Sequence, residues 1–250
     1  MILIAEDQMV FLELYSLIFN KLGLPIILAI NGQEAIDKAL KNDPALILMD
    51  IQMPLMNGYD AAEELRKHGY NKPIIAVTAD DKLDEDLGKK AGINDYLFKP
   101  IKPADVERLV KKWMNVDGGI QHVSEEESSA AQNEVFCSVS MFDTFMNNEE
   151  MATSLLSRFI ERTGGQLEKL SGTEKTGEWE SSWQIVHMIR GAAFTMSGLE
   201  LGKAASVLEM AYKNQDRKEI EKALPQIHKA FERFKTEAEM FINTRKKNAI

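Results

Sequence analysis

Residues 46–58 read Leu46-Ile47-Leu48-Met49-Asp50-Ile51-Gln52-Met53-Pro54-Leu55-Met56-Asn57-Gly58. An apolar run closing on an acid describes a strand buried on both faces that delivers Asp50 to its carboxyl end, the edge at which open α/β sheets bind ligands. A second run, Ile2-Leu3-Ile4-Ala5, closes on Glu6-Asp7. Similar short runs occupy residues 25–29, 45–49, 73–78 and 95–98, and the segments between them carry helical spacing, as in Leu14, Leu17, Ile18 and Leu22 or Ala35, Ile36, Ala39 and Leu40. Strands alternating with helices in this way predict an α/β doubly wound (βα)5 parallel sheet, its last helix running over residues 103–114.

The 250 residues exceed one typical domain, and the 44% hydrophobic content suffices for two soluble cores. No stretch approaches the roughly 18 apolar residues of a membrane span, and the N-terminus enters the first run without a basic region and cleavage site. The single cysteine, Cys137, forms no internal disulfide and no cysteine metal cluster, which fits a reducing cytoplasm. A net charge of −9 argues against nucleic acid as a partner, because phosphate neutralisation needs a basic footprint.

After residue 114 the periodicity stops. Gly118-Gly119 and Ser124-Glu125-Glu126-Glu127-Ser128-Ser129 dominate residues 115–140, which read as a flexible acidic linker. From 141 to 250 only helical spacing returns: Met151, Leu155, Leu156 and Phe159; then residues 183–196; then Ala204, Val207 and Leu208; then residues 220–241, where Pro225 marks a kink or a start. Asn148 and Asp216 stand where helix N-caps belong. A helical bundle is expected. The expected organisation is therefore 1–114, a linker over 115–140, and 141–250.

Moving a phosphoryl group onto a carboxylate gathers negative oxygens, which call for a divalent cation and a fixed ammonium. Glu6, Asp7 and Asp50 supply the oxygen ligands that suit Mg²⁺. Thr78 ends the fourth run and offers a hydroxyl; Lys99 ends the fifth and offers the cation. Each alone is an ordinary loop residue, but together they occupy matching strand ends in the required order. Over residues 1–114 the local signatures Glu6-Asp7, residues 50–58, Thr78-Ala79 and Lys99-Pro100 resemble the receiver domain of two-component response regulators, a flavodoxin-like fold. The resemblance implies that Asp50 is the phosphoacceptor and that Glu6, Asp7, Asp50 and the Gln52 backbone carbonyl hold Mg²⁺ or Mn²⁺. It implies further that Thr78 and Lys99 bind the phosphoryl oxygens. Tyr96 matches the family's aromatic switch position and reads equally as a half-buried strand aromatic. Asn57 stands where many receivers carry Asp.

In the second region, Trp183-Gln184-Ile185-Val186-His187-Met188-Ile189-Arg190-Gly191-Ala192-Ala193-Phe194 places Ile185, Ile189, Ala192 and Met196 opposite His187, so His187 is expected to face solvent. Gln184, Arg190 and Gly191 share its face. Gly191 would clear the surface beside the imidazole for a partner's loop, and Arg190 would offer donors to a phosphoryl group on the ring. A neutral imidazole nitrogen is a nucleophile near neutral pH. The same pattern also describes a plain surface histidine; His68, His122 and His228 lack such a neighbourhood. This segment resembles the histidine-phosphotransfer (HPt) domain, motif His-x-x-Lys/Arg-Gly-Ala/Ser, with similarity over about residues 141–242 that includes Leu201 and Leu208-Glu209. The resemblance implies an all-α antiparallel four-helix bundle with an extra N-terminal helix. Arg190 replaces the commoner Lys. Ser197 stands where members usually have Gly, with Gly198 following, and could shift the end of that helix.

Both sites together imply a phosphorelay protein that takes phosphoryl from a sensor histidine kinase on Asp50 and relays it through His187 to or from a receiver domain. The sequence has no glycine-rich GxxxxGK[ST] loop, so it reads as a regulatory phosphotransfer protein rather than an ATP-using kinase. A coil of about 24 residues spans roughly 27 Å, which permits an intramolecular receiver–HPt contact. A phosphorylation-switched binding module and a phosphate sink, neither needing His187, are the competing readings. Receiver and phosphotransfer domains also occur at the C-terminal end of hybrid kinases, and a start at Met1 fits either origin.

Overall fold

The computed structural model describes residues 1–79, 85–114, 135–173, 177 and 179–248. It divides into two compact units, residues 1–126 and 127–250.

In the first unit the apolar runs become β1 (Ile2–Ala5), β2 (Ile26–Ala29), β3 (Leu46–Asp50), β4 (Ile74–Thr78) and β5 (Asp95–Phe98). They form one parallel sheet in the order β2-β1-β3-β4-β5. The intervening helices are α1 (Met9–Lys21), α2 (Gly32–Asn42), α3 (Gly58–Lys67), α4 (Glu85–Ala91) and α5 (Pro103–Met114). Every residue of β1, β3 and β4 is buried, whereas the edge strands β2 and β5 are half-buried. That gradient explains why the three central strands are unbroken aliphatic runs. Strand order reverses between β1 and β3, so the crevice at their carboxyl ends opens between Glu6-Asp7 and Asp50. Asn57 caps α3 by accepting a hydrogen bond from the Asp60 amide at 2.9 Å, which gives this position a structural role outside the acid cluster.

The second unit is helical: α6 (Ser138–Thr144), α7 (Glu149–Leu170), α8 (Trp179–Thr195), α9 (Leu199–Lys213) and α10 (Arg217–Asn248). Each of the long helices α7 to α10 packs on the next, and α7 also packs on α10. Phe145, Leu155, Leu156, Val186, Ile189, Met196, Leu208 and Phe234 are buried between them. Asn148 caps α7 through the Met151 amide, and Asp216 accepts from the amides of Lys218 and Glu219 at the start of α10. Pro225 lies inside α10 rather than at its start, at an exposed position.

One expectation needs correction. The segment assigned to a linker through residue 140 is already structured from residue 135. Val135 is buried, the Phe136 ring meets Phe234 and Phe241 edge-on, the Cys137 amide donates to the Ser197 carbonyl at 3.2 Å, and α6 begins at Ser138. The remainder of that linker, residues 115–134, lies outside the described residues. The end of α8 is set by Ser197 itself, which adopts φ +55° while the Gly198 amide donates to the Ala193 carbonyl at 2.8 Å. A β-carbon in this left-handed conformation costs about 1 kcal/mol, so Ser197→Gly is expected to raise stability by roughly that amount, checked by urea unfolding.

Candidate functional site

The switch point assembles the acid cluster by topology alone. Carboxylate oxygens of Glu6, Asp7 and Asp50 lie within 4.8 Å of one another, although the residues come from two strands. Glu6 and Asp50 are buried and Asp7 is half-buried. Lys99, one residue past β5, extends across the sheet edge, with its ammonium 2.6 Å from Glu6 Oε2 and 2.7 Å from Asp50 Oδ2. Backbone amides hold the other oxygens: the Gln8 amide donates to Glu6 Oε1 at 3.2 Å and the Gln52 amide to Asp50 Oδ1 at 3.1 Å. Gly58 lets this loop close, because a β-carbon there would stand 2.2 Å from the Asp50 carbonyl oxygen.

The electrostatics follow from burial. Desolvation raises the Glu6 carboxyl well above its usual range; Lys99 opposes the rise, while Asp50 and Asp7 add to it. Burial works against the Lys99 charge too, but Asp50 and Glu6 outweigh it and hold the ammonium above the ordinary lysine range. Beneath the cluster, burial and the fields of Glu6 and Asp50 raise the Tyr15 hydroxyl. Three carboxylates facing one ammonium leave an excess of negative charge when ionised. A hard divalent cation with oxygen ligands fits that donor set, and buried Gln52 Oε1, which has no hydrogen-bond partner among the described residues, adds a further oxygen nearby in the chain.

Thr78 closes β4 and is buried, in register with Phe98 at the end of β5. Tyr96 is half-buried and packs against the core with its hydroxyl turned to α4. A β-carbon at Gly88 would stand 1.7 Å from that oxygen, so glycine is what lets α4 close over the ring.

In the second unit His187 is not on the surface, as the helical pattern suggested, but only 7% exposed. Ser182, Val186, Ile189 and Ala193 form the buried stripe of α8, continued by buried Met196 just past its end, and Ile185 is only half-buried. A second buried row, His187, Gly191 and Thr195, runs beside it, so the helix is covered on more than one side. Gly191 is itself buried. Gln184 is exposed, as expected.

His187 Nδ1 lies 2.8 Å from Glu209 Oε1 on α9, and Arg190 Nη1 lies 2.9 Å from Glu209 Oε2. An ionised carboxylate only accepts, so it selects the tautomer with the proton on Nδ1 and leaves the Nε2 lone pair free. Trp183 stacks on the imidazole with centroids 5.7 Å apart. Arg190 therefore pairs with Glu209, yet its Nε and Nη2 are buried without a hydrogen-bond partner among the described residues. In the sequence Glu209 stands out only as half of the Leu208-Glu209 pair. Its signal was an acid beside Leu208 at a buried position of α9.

The family model "Response regulator receiver domain" matches residues 2–111. Residues 2–111 form a response regulator receiver domain. The chain is 33% identical over 111 residues to the alkaline phosphatase synthesis transcriptional regulatory protein PhoP of Bacillus subtilis, covering 44% of this chain and 46% of that protein. It is 25% identical over 247 residues to the sensor histidine kinase GacS of Pseudomonas protegens, covering 95% of this chain and 27% of that protein. Among solved structures, the receiver domain of a Pseudomonas aeruginosa sensor histidine kinase, with a magnesium ion in its active-site cleft, is 35% identical; the match covers 46% of this chain and 97% of that one, with a TM-score of 0.43. The chain spans less than half the length of these two curated relatives. A receiver domain is a module of two-component signalling. Among the described residues no helix is long and apolar enough to cross a membrane.

Proposed function

We propose that this chain is a phosphorelay protein in which Asp50 of the receiver domain accepts a phosphoryl group from a sensor histidine kinase and His187 passes it to or from a receiver domain. The observation that carries the reading is the pairing, in one chain, of an acid cluster served by Lys99 with an imidazole held by a carboxylate beside unfilled arginine donors. An alignment with a sensor histidine kinase that runs through both units supports it. The helical unit is read as an HPt bundle built from α7 to α10, with α6 as the extra N-terminal helix.

In the proposed reaction an Asp50 oxygen attacks the phosphorus of a phosphohistidine. The P–N bond breaks, a P–O bond forms, and the leaving imidazole regains a proton. Lys99 and the Thr78 hydroxyl bind the phosphoryl oxygens. Glu6, Asp7, Asp50 and the Gln52 carbonyl would hold Mg²⁺ or Mn²⁺, which neutralises phosphoryl charge when bound. For the onward step His187 Nε2 attacks the phosphorus of an aspartyl phosphate; the P–O bond breaks and releases the carboxylate as the P–N bond forms, while Glu209 keeps Nδ1 protonated. The phosphoryl group on Nε2 then meets the Arg190 donors that lack partners. The protein acts in the cytoplasm and without nucleic acid, as a regulatory carrier that uses no ATP of its own. The receiver and HPt units of one molecule are also candidates to exchange phosphate directly.

The test is incubation of the full chain with a phosphorylated sensor kinase and Mg²⁺, followed by site mapping. Label is expected on both Asp50 and His187, and failure of His187 to acquire label by any route overturns the relay.

A further inference from the structure

We propose that Phe11 is a positioning residue for the phosphoryl reaction at Asp50, its ring holding the Lys99 ammonium against the Glu6 and Asp50 carboxylates through a cation–π contact. This rests on the reading of Asp50 as the phosphoacceptor. Phe11 lies on the first turn of α1, is fully buried, and has its ring centroid 4.4 Å from Lys99 Nζ. The Lys99 side chain is 3% exposed, so water has little part in satisfying it.

An ammonium has three N–H donors. One is donated to Asp50 Oδ2, and a second faces Glu6 Oε2 at 2.6 Å. The negative face of the Phe11 ring lies against the same ammonium and attracts its charge. A further acid there would compete for the proton and for a cation; an aliphatic residue would leave an N–H facing hydrocarbon without an attractor. A ring attracts the ammonium without accepting a conventional hydrogen bond, so the other two donors stay directed at the carboxylates. Tyr15, one turn along α1, stacks on Phe11 with centroids 6.0 Å apart and 19° between planes, and is itself 1% exposed. The ring that holds Lys99 is therefore held in turn.

Phosphoryl transfer depends on having its charges in place before the reacting group arrives, because reorganisation during the reaction adds to the barrier. Lys99 sits at the end of a long flexible stem, and the ring restricts where its tip resides. A contact of this kind in a desolvated site corresponds to roughly a tenfold effect on rate.

The experiment uses the full chain with phenylalanine at position 11 replaced by its mono-, di- and trifluorinated analogues, which keep the shape of the ring and progressively weaken its negative face. The rate of Asp50 phosphorylation by acetyl phosphate with Mg²⁺ is expected to fall stepwise along the series, by roughly tenfold in total. Phe11→Leu, with its folding checked by circular dichroism, is expected to fall as far. A second readout needs no phosphodonor: the Lys99 ε-methylene protons are expected upfield of their ordinary position in the wild-type NMR spectrum, an offset lost in F11L. A flat rate across the fluorinated series, or no ring-induced offset at Lys99, overturns the proposal. If wild type takes no phosphate on Asp50, the phosphoacceptor reading fails and Phe11 loses its role as a positioning residue for that reaction, whatever the Lys99 spectrum shows.

Discussion

Asp50→Asn is expected to abolish phosphoryl incorporation at the acid cluster, by three or more orders of magnitude, while leaving the receiver domain as stable as before or more so. An amide is not a nucleophile toward phosphorus, and deleting an attacking group removes the reaction rather than slowing it (effects of about 10³ or more). The stability side comes from charge. Asp50 is 2% exposed and its oxygens share a space within 4.8 Å with those of Glu6 and Asp7, so two buried carboxylates and a half-buried one repel one another beside the Lys99 ammonium. The amide relieves part of that repulsion, an effect on the order of 1 kcal/mol at the effective dielectric of such sites, while Lys99 keeps Glu6 as its partner. Urea unfolding of both proteins beside a labelling assay checks the two halves together. Loss of label accompanied by marked destabilisation would assign Asp50 to the fold instead of the chemistry. Chelating the divalent cation with EDTA is expected to stop incorporation into wild type as completely.

His187→Gln is expected to halt phosphate at Asp50, eliminating onward transfer without disturbing the helical unit. The substitution leaves Glu209 and Arg190 themselves unchanged, so their pair at 2.9 Å survives it. Glu209→Ala is expected to behave differently. It strands the Arg190 guanidinium, 12% exposed, without its counter-charge, and removing one partner of a buried pair destabilises by about 3 kcal/mol. It also frees the imidazole to turn and to change tautomer, which is expected to slow transfer through His187 by about 10²-fold. Transfer kinetics measured alongside thermal unfolding separate the two variants. A Glu209→Ala protein that carries phosphate at the wild-type rate would show that the carboxylate does not orient His187.

The receiver half was legible because its physics is one-dimensional. A strand buried on both faces has to be an unbroken aliphatic run, so residues 2–5, 46–49 and 74–77 announced themselves, and a parallel register carries their terminal residues to one edge. Glu6, Asp7, Asp50, Thr78 and Lys99 needed no knowledge of packing beyond that. The helical half was harder. The spacing of α8 shows a single apolar stripe, but this helix is buried along two rows, with the small residues Gly191, Ala192 and Ala193 all buried. Periodicity reports where apolar residues fall and is silent about how many neighbours a helix has, so His187 was placed outside when it is inside. Glu209 becomes meaningful only when α9 lies against α8. Phe11 was equally invisible, since an aromatic in an amphipathic helix announces a core and not the lysine it will meet. Val135 and Phe136 were absorbed into a polar stretch because two apolar residues make no period.

The most direct test of the relay is a pulse of labelled phosphoryl donor followed by quenching in alkali and in acid. An acyl phosphate on Asp50 is lost in alkali, whereas phosphate on His187 survives alkali and is lost in acid. In wild type, alkali-labile label is expected first, and alkali-stable label mapping to His187 is expected to grow as the first decays; His187→Gln should show only the first. If no alkali-stable label ever forms at His187, whether the phosphate enters through Asp50 or from a phosphorylated receiver supplied in trans, the chain is not a relay.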